Sequence, residues 1–294
     1  MLMRTRQVEL ALHTPADLGE GPWWDEERDE LLWVDIFAGD IHRFNPRTGR
    51  DRSINVGQPV GMAAVREAGG LVCAVRDGIG FVDEDSGNFT LAIPIELERT
   101  GNRMNDGACD PAGRLWAGTM ATDLSPGKGA LYRIGTGLES TRILDGVSIS
   151  NGLDWSPDGK TFYHIDSSTR RIDAYDFDFY SGGLSRGRTL AELPDAIATP
   201  DGLAVDTDGT LWVAMWDGGC IRRYSPRGDL LEVVELPVSR PTSVAFGGTN
   251  MDKLYVTSAR NGLTRDQLAS EPLAGSLFVL DTGSTGLPPH PFLG

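Results

Sequence analysis

In four of the repeated units of this chain an acidic or amide side chain stands directly before the glycine that opens the unit: Glu20-Gly21 in LGEGP, Asp106-Gly107 in RMNDG, Asn151-Gly152 in SNGLDW and Asp201-Gly202 in PDGLAV. Each glycine opens a short apolar run, which leads through a turn to a second run rich in Trp, Tyr, Val and Leu. Anchored on Gly21, Gly61, Gly107, Gly152, Gly202 and Ser243, the units recur at intervals of 40, 46, 45, 50 and 41 residues. That period matches one four-stranded sheet of a radial repeat, in which each unit buries its faces against its neighbours.

The likeness extends into the units. CDPAGRLWAGTM, WSPDGKTFYHID and VDTDGTLWVAMW share an Asp/Ser-x-x-Gly turn followed by alternating β-formers. Third runs such as DIHRFNPRTG, GALYRIGTG and CIRRYSPRGD have period-2 patterning closed by Asn, Asp, Pro and Gly. Weakly patterned segments such as RSINVGQP and LLEVVELPVSRP then supply an outer strand and a crossover. The expectation is an all-β, six-bladed β-propeller in one domain over 1–294, with blades beginning near 20, 60, 106, 151, 201 and 242. Residues 8–12, VELAL, would add a strand to the last blade and remove its free edge. Stretches 120–129 and 258–274 exceed hairpin turns and read as rim loops, and RDQLAS within the second suits a turn or two of helix. Two stacked β-sandwiches are the alternative, but they do not require the internal repeat.

Composition narrows function. The 37 glycines and 17 prolines suit a turn-dense β protein, and a net charge of −15 argues against nucleic acid and against an anionic membrane surface. A cation, or a small neutral or cationic ligand, suits that field better. Cys73, Cys109 and Cys220 are odd in number and never in a CxxC pair, so they read as small buried hydrophobes. The N-terminus MLMRTRQVELALHTP has no long apolar core, and no apolar stretch nears the roughly 20 residues of a membrane span. The expected compartment is the cytoplasm.

In a propeller the first residues of the innermost strands face one another across the channel mouth. Here these are Glu20, Val60, Asp106, Asn151, Asp201 and Thr242. Carboxylates crowded in one funnel repel unless a cation neutralises them, and oxygen ligands without His or Cys suit a hard divalent ion. Taken singly, Asn-Gly and Asp-Gly are commonest as turns. As a set they behave differently, because separate turns at 111–113, 157–159 and 207–209 follow downstream. The four histidines share no metal-ligand spacing, and His164, on a strand, reads as a satisfied structural residue before a catalytic one. DEERDE at 25–30 reads as a solvated turn tip. No GxSxG elbow, P-loop or dinucleotide fingerprint occurs.

With LGEGPWWDEERDELLWVDI, NRMNDGACDPAGRLWAGTM, SNGLDWSPDGKTFYHIDS and PDGLAVDTDGTLWVAMW in view, the chain resembles the SMP-30/gluconolactonase/LRE family from about residue 8 to about residue 281. The resemblance implies one divalent metal (Ca, Zn, Mn or Mg) at the channel mouth, with Glu20, Asn151 and Asp201 as ligands and Asp201 as general base. It places substrate contacts on Arg103 and Asn105. Asp123 stands where family members carry a glutamate, and Met104 where they carry a phenylalanine. The implied activity is hydrolysis of an aldonolactone to its sugar acid. Propeller esterases or organophosphate hydrolases, and non-catalytic calcium-binding regulators, are the alternatives. The expected partner is a small sugar lactone, with no nucleic acid and no membrane, and the chain is expected as a monomer or small homo-oligomer.

Overall fold

The computed structural model describes residues 6–193 and 197–294; the first five residues, on which the reading of the N-terminus partly rests, lie outside it. Its strands form six antiparallel sheets of four. The innermost strands are Gly19–Asp25, Val60–Val65, Asn102–Cys109, Ser150–Trp155, Thr199–Val205 and Pro241–Gly247. Each packs against the innermost strands of two neighbouring blades, and the first meets the last, so the sheets stand around one axis. The six-bladed propeller expected from the repeat is the fold. The outer strand of the last blade is Val8–Leu12, paired antiparallel to Leu277–Asp281 with Val8 opposite Leu280.

The repeated turns explain why the blades resemble one another. Asp110 Oδ1 accepts the backbone N–H groups of Ala112 and Arg114, while its Oδ2 accepts the indole N–H of Trp116 at 2.9 Å. Asp206 repeats the arrangement with Asp208, Thr210 and Trp212. One aspartate thus closes the turn and also satisfies the tryptophan buried two residues past the arginine or threonine whose N–H it accepts. Aromatic rings fill the seams between blades: Trp24 stacks on Tyr255 at 5.5 Å, Trp116 meets Trp155 at 5.9 Å, and Trp212 meets Phe246 edge-on at 6.3 Å.

The acid–glycine step proves to be a β-bulge. In all six blades the pairing of the innermost strand with the next strand shifts register at that step, as between Glu20 and Trp23, Met104 and Gly107, Asn151 and Leu153, and Pro200 and Leu203. A bulge turns one side chain away from the regular alternation, which lets the pre-glycine residue point along the channel mouth. The glycine allows close approach between blades. A Cβ on Gly152 would stand 2.6 Å from the carbonyl oxygen of Asp201, and one on Gly61 would run into the carbonyl of Asn105.

Two details differ from the sequence expectation. The DEERDE segment is solvated only at its tip, because Asp25 and Glu30 are buried. Asp25 accepts from Arg43 at 2.7 Å and Glu30 takes two hydrogen bonds from Arg52, so guanidinium partners on the same sheet make burial tolerable. The tail beyond Asp281, which carries no repeat signal, crosses the channel end opposite the acid ring. It is anchored by Gly286 N–H to Met251 O on one side and by Phe292 N–H to Val65 O on the other. The 258–274 stretch does contain a helix, Arg265–Ser270, started by a capping box between Thr264 and Gln267. Among the described residues no helix is long and apolar enough to cross a membrane.

Candidate functional site at the channel mouth

The bulges bring Glu20, Asp106, Asn151 and Asp201 to the same end of the channel, all 5–7% exposed. Val60 and Thr242 occupy the other two positions without joining the acid set. Val60 packs into an apolar cluster with Leu18 and Ile36, and Thr242 Oγ1 donates to Gly19 O at 2.6 Å, helping to close the ring.

A chain of directed hydrogen bonds orients the site. Arg103 Nη1 donates to Asn105 Oδ1 at 2.7 Å and to Met104 O at 2.9 Å. Asn105 Nδ2 donates to Asn151 Oδ1 at 3.0 Å and to Ser150 O at 2.9 Å. Asn151 Nδ2 donates to Ser167 Oγ at 2.8 Å, and that hydroxyl spends its proton on Pro200 O at 2.7 Å. Since the Ser167 proton is committed to a carbonyl, its oxygen can only accept from Asn151. The amide must then turn its oxygen toward the channel. Ser167 lies in a 3₁₀ turn, Ser167–Thr169, at the same rim.

Electrostatics single out the same group. Burial pushes Glu20 up to about 8, with the Asp106 charge adding to the effect and the Gly21 N–H and Arg103 opposing it. Burial raises Asp106 to about 7 against the Gly107 N–H. Asp201 is held well above the carboxylate range by burial and by the charges of Glu20 and Asp106, with Arg103 opposing. Burial brings Arg103 down to about 10, while Glu20 and Asp201 pull the other way. One guanidinium therefore faces three carboxyl groups and leaves a deficit of positive charge.

Among the described residues no three His, Cys, Asp or Glu side chains are gathered closely enough to hold a metal on their own. The donor set that fits a hard cation is mixed, with Glu20 and Asp201 carboxylates beside the Asn151 amide oxygen. Asp201 Oδ1 supports that fit: it is buried and has no hydrogen-bond partner among the described residues. A carboxylate oxygen left so is costly unless something cationic meets it.

The remaining expectations divide. Arg103 and Asn105 lie inside the network. Asp123 does not: it is exposed on the turn after Ala121, and its Oδ1 accepts the Ser125 N–H at 3.0 Å. His164 is fully enclosed, faces Ser150 Oγ at 3.0 Å and is brought down to about 4 by burial, the pattern of a structural histidine. Cys73, Cys109 and Cys220 are all buried. Sequence reasoning did not single out Ser167, which orients Asn151, or Phe37. The Phe37 ring lies 5.4 Å from the Arg103 guanidinium carbon, yet the side chain is 44% exposed on the rim. Only an apolar residue in the IFAG turn hinted at it.

The geometry agrees with comparisons to known proteins. The profile of the SMP-30/gluconolactonase/LRE-like region matches residues 18–260. Regucalcin of Gallus gallus is 38% identical over 284 residues, covering 94% of this chain and 95% of its own. The crystal structure of a calcium-binding protein, regucalcin, from Agrobacterium tumefaciens superposes with a TM-score of 0.95 at 28% identity over 99% of both chains. A luciferin-regenerating enzyme superposes with a TM-score of 0.92 at 32% identity, covering 98% of this chain and all of the other. From the bulged acid ring to the full-length likeness, the conclusion is that this chain belongs to the SMP-30/gluconolactonase/LRE family.

Proposed function

We propose that the chain is a metal-dependent lactonase that opens a sugar lactone to its acid. The observation that carries this reading is the buried convergence of Glu20, Asp106, Asn151 and Asp201 around an unpartnered Asp201 Oδ1, with Arg103 held beside them. Family membership supports it. Glu20, Asn151 and Asp201 would hold the divalent ion. When bound, that ion would supply Lewis acidity toward the lactone carbonyl and lower the pKa of a nearby water.

The chain's own groups supply the rest. Asp201, ionised once its surroundings carry enough positive charge, takes the proton of the attacking water on its free oxygen. Arg103 is fixed by Asn105 and the Met104 carbonyl, so its remaining N–H groups are positioned to donate to ring hydroxyls, to the developing oxyanion and to the product carboxylate. Asn105 has both amide hydrogens engaged, on Ser150 O and Asn151 Oδ1, so it acts by orienting Arg103 and Asn151. Sugar specificity falls to the rim, including Phe37 and the turn that carries Asp123.

The test is a pH-indicator assay with glucono-, galactono- and xylonolactone beside an aryl ester and paraoxon, with and without added Ca²⁺, Zn²⁺, Mn²⁺ or Mg²⁺. Cation-dependent turnover of the sugar lactones is expected, with Asp201→Asn lowering it by roughly 10³-fold. Full activity of Asp201→Asn refutes the assignment. The similarity to a calcium-binding regucalcin favours a second reading, a calcium-binding protein without turnover. Calcium binding with no hydrolysis of any substrate would select it.

A further inference from the structure

Below the acid ring, and reaching it at Asp106, lies a cavity of about 620 Å³. All six innermost strands contribute to its wall, downstream of the bulges, and the floor is the tail segment Leu287–Pro291. Its size falls within the range of small-molecule sites, roughly 300–1,000 Å³. Much of the wall is aromatic or aliphatic, including Trp24, Leu153, Trp155 and Phe246.

Four carboxyl groups, on Glu26, Asp106, Asp154 and Asp158, line the cavity, and no lysine or arginine does. The one basic ring in the lining, His290, is held toward its neutral form by burial. Asp154 is the most exacting of the four carboxyl groups. Its two oxygens accept the Trp155 and Val205 backbone N–H groups at 2.7 Å each. Burial pushes it up to about 6 in spite of those two donors. On the same wall the indole N–H of Trp155 is buried without an acceptor among the described residues. Three of the five floor residues, Pro288, Pro289 and Pro291, have no N–H, and backbone anchors flank the floor at Gly286 and Phe292.

We propose that this lower cavity is a second ligand site, meeting the acid ring at Asp106, that takes a small organic cation with an apolar or aromatic body. The ammonium group would meet the Asp154 carboxylate and the faces of the tryptophans, where a desolvated cation gains from the ring quadrupole. An anion of the same shape would face four carboxyl groups, with the Trp155 indole N–H and the His290 ring to set against them.

The test uses the whole protein with saturating Ca²⁺, so that cation binding at the upper ring is already blocked. Calorimetric and tryptophan-fluorescence titrations are run with 2-phenylethylammonium, the neutral 2-phenylethanol and the anionic 3-phenylpropionate. Saturable binding is expected for the ammonium, at least tenfold tighter than for the alcohol, with none for the carboxylate. Asp154→Asn should weaken the ammonium about tenfold and leave the alcohol unchanged. Ala108→Trp, which places an indole in the cavity, should abolish both. The proposal is overturned if the ammonium shows no saturable binding at millimolar concentration or if the carboxylate binds as well. It is equally overturned if Asp154→Asn leaves the ammonium affinity unchanged, or if binding appears only when Ca²⁺ is removed, which would place the cation at the upper ring. Should Ala108→Trp fail to fold, the Asp154→Asn comparison decides alone.

Discussion

Gly152→Ala tests whether blade spacing sets the site. The added methyl would stand 2.6 Å from the carbonyl oxygen of Asp201 and 2.7 Å from the backbone nitrogen of Leu203. An ordinary carbon–oxygen contact needs roughly 3.3 Å, so the strands bearing Asn151 and Asp201 must part by about 0.7 Å. Both obstacles are backbone atoms, which no rotamer change can move aside. Overpacking of this kind costs about 1–3 kcal/mol, and a misplacement approaching 1 Å at reacting groups costs on the order of 10²-fold in rate. The expected outcome is a folded protein with a urea midpoint lowered accordingly and kcat/KM for a sugar lactone reduced on the order of 10²-fold, with weakened Ca²⁺ affinity as an activity-independent readout. Gly49→Ala is the control: its φ of 70° makes alanine strained, yet nothing lies within 4 Å of the new methyl. It should lose about 1 kcal/mol of stability and no activity. If Gly152→Ala keeps both wild-type turnover and wild-type Ca²⁺ affinity, spacing between innermost strands does not position Asp201 and the reasoning fails.

Three further outcomes follow from the same ring. Glu20 and Asp106 titrate near 8 and 7 in the folded chain against 4.5 and 3.8 as ordinary values, so the metal-free fold holds these protons longer than the unfolded chain does. Their contribution, on the order of 4–5 kcal/mol each at most, is complete below about pH 4 and is lost as pH rises toward 8; chelator-treated protein should melt lower at pH 8 than at pH 5, and Ca²⁺ should raise the melting temperature more at pH 8. A chelated protein that melts higher at pH 8 contradicts this. Ser167→Ala leaves Asn151 Nδ2 without its acceptor and Pro200 O without its donor, which should cost about 1–3 kcal/mol in urea unfolding and at least about tenfold in Ca²⁺ affinity; an unchanged affinity removes Ser167 from the site. Phe37→Ala should raise KM for sugar lactones severalfold with kcat little changed, because the ring covers Arg103 on the exposed rim and bears on no reacting atom; equal KM values would deny it a binding role.

Sequence alone reaches the features that every blade must repeat. All six blades carry a bulge that turns one residue toward the axis, five carry a glycine where the neighbour approaches, and two carry an aspartate that closes the turn and accepts an indole. Those features leave periodic marks at Gly21, Gly152 and Gly202, and at Asp110 and Asp206. Asp106 was visible through spacing, although the family resemblance by itself leaves it out of the ligand set. Features made once leave no period. Ser167 supports Asn151 from a turn in the same blade, and Phe37 reaches Arg103 across two blades. The tail that floors the lower cavity comes after the last repeat. Asp123 marks the opposite limit: motif alignment gives the position, but a local bond to Ser125 fixes where the carboxylate goes.

The strand Val8–Leu12 completes the same sheet as Leu277–Asp281, and Thr242 is latched to Gly19. A ring sealed by the two extremities of its own polymer cannot be circular while one of them is still missing. Because Glu20 and Asp201 stand in the first and fifth blades, with the sixth between them, their encounter waits for that last blade. A partly made chain therefore carries the acids without the cup. Affinity for a dication would arrive abruptly, at the moment when the circle is joined.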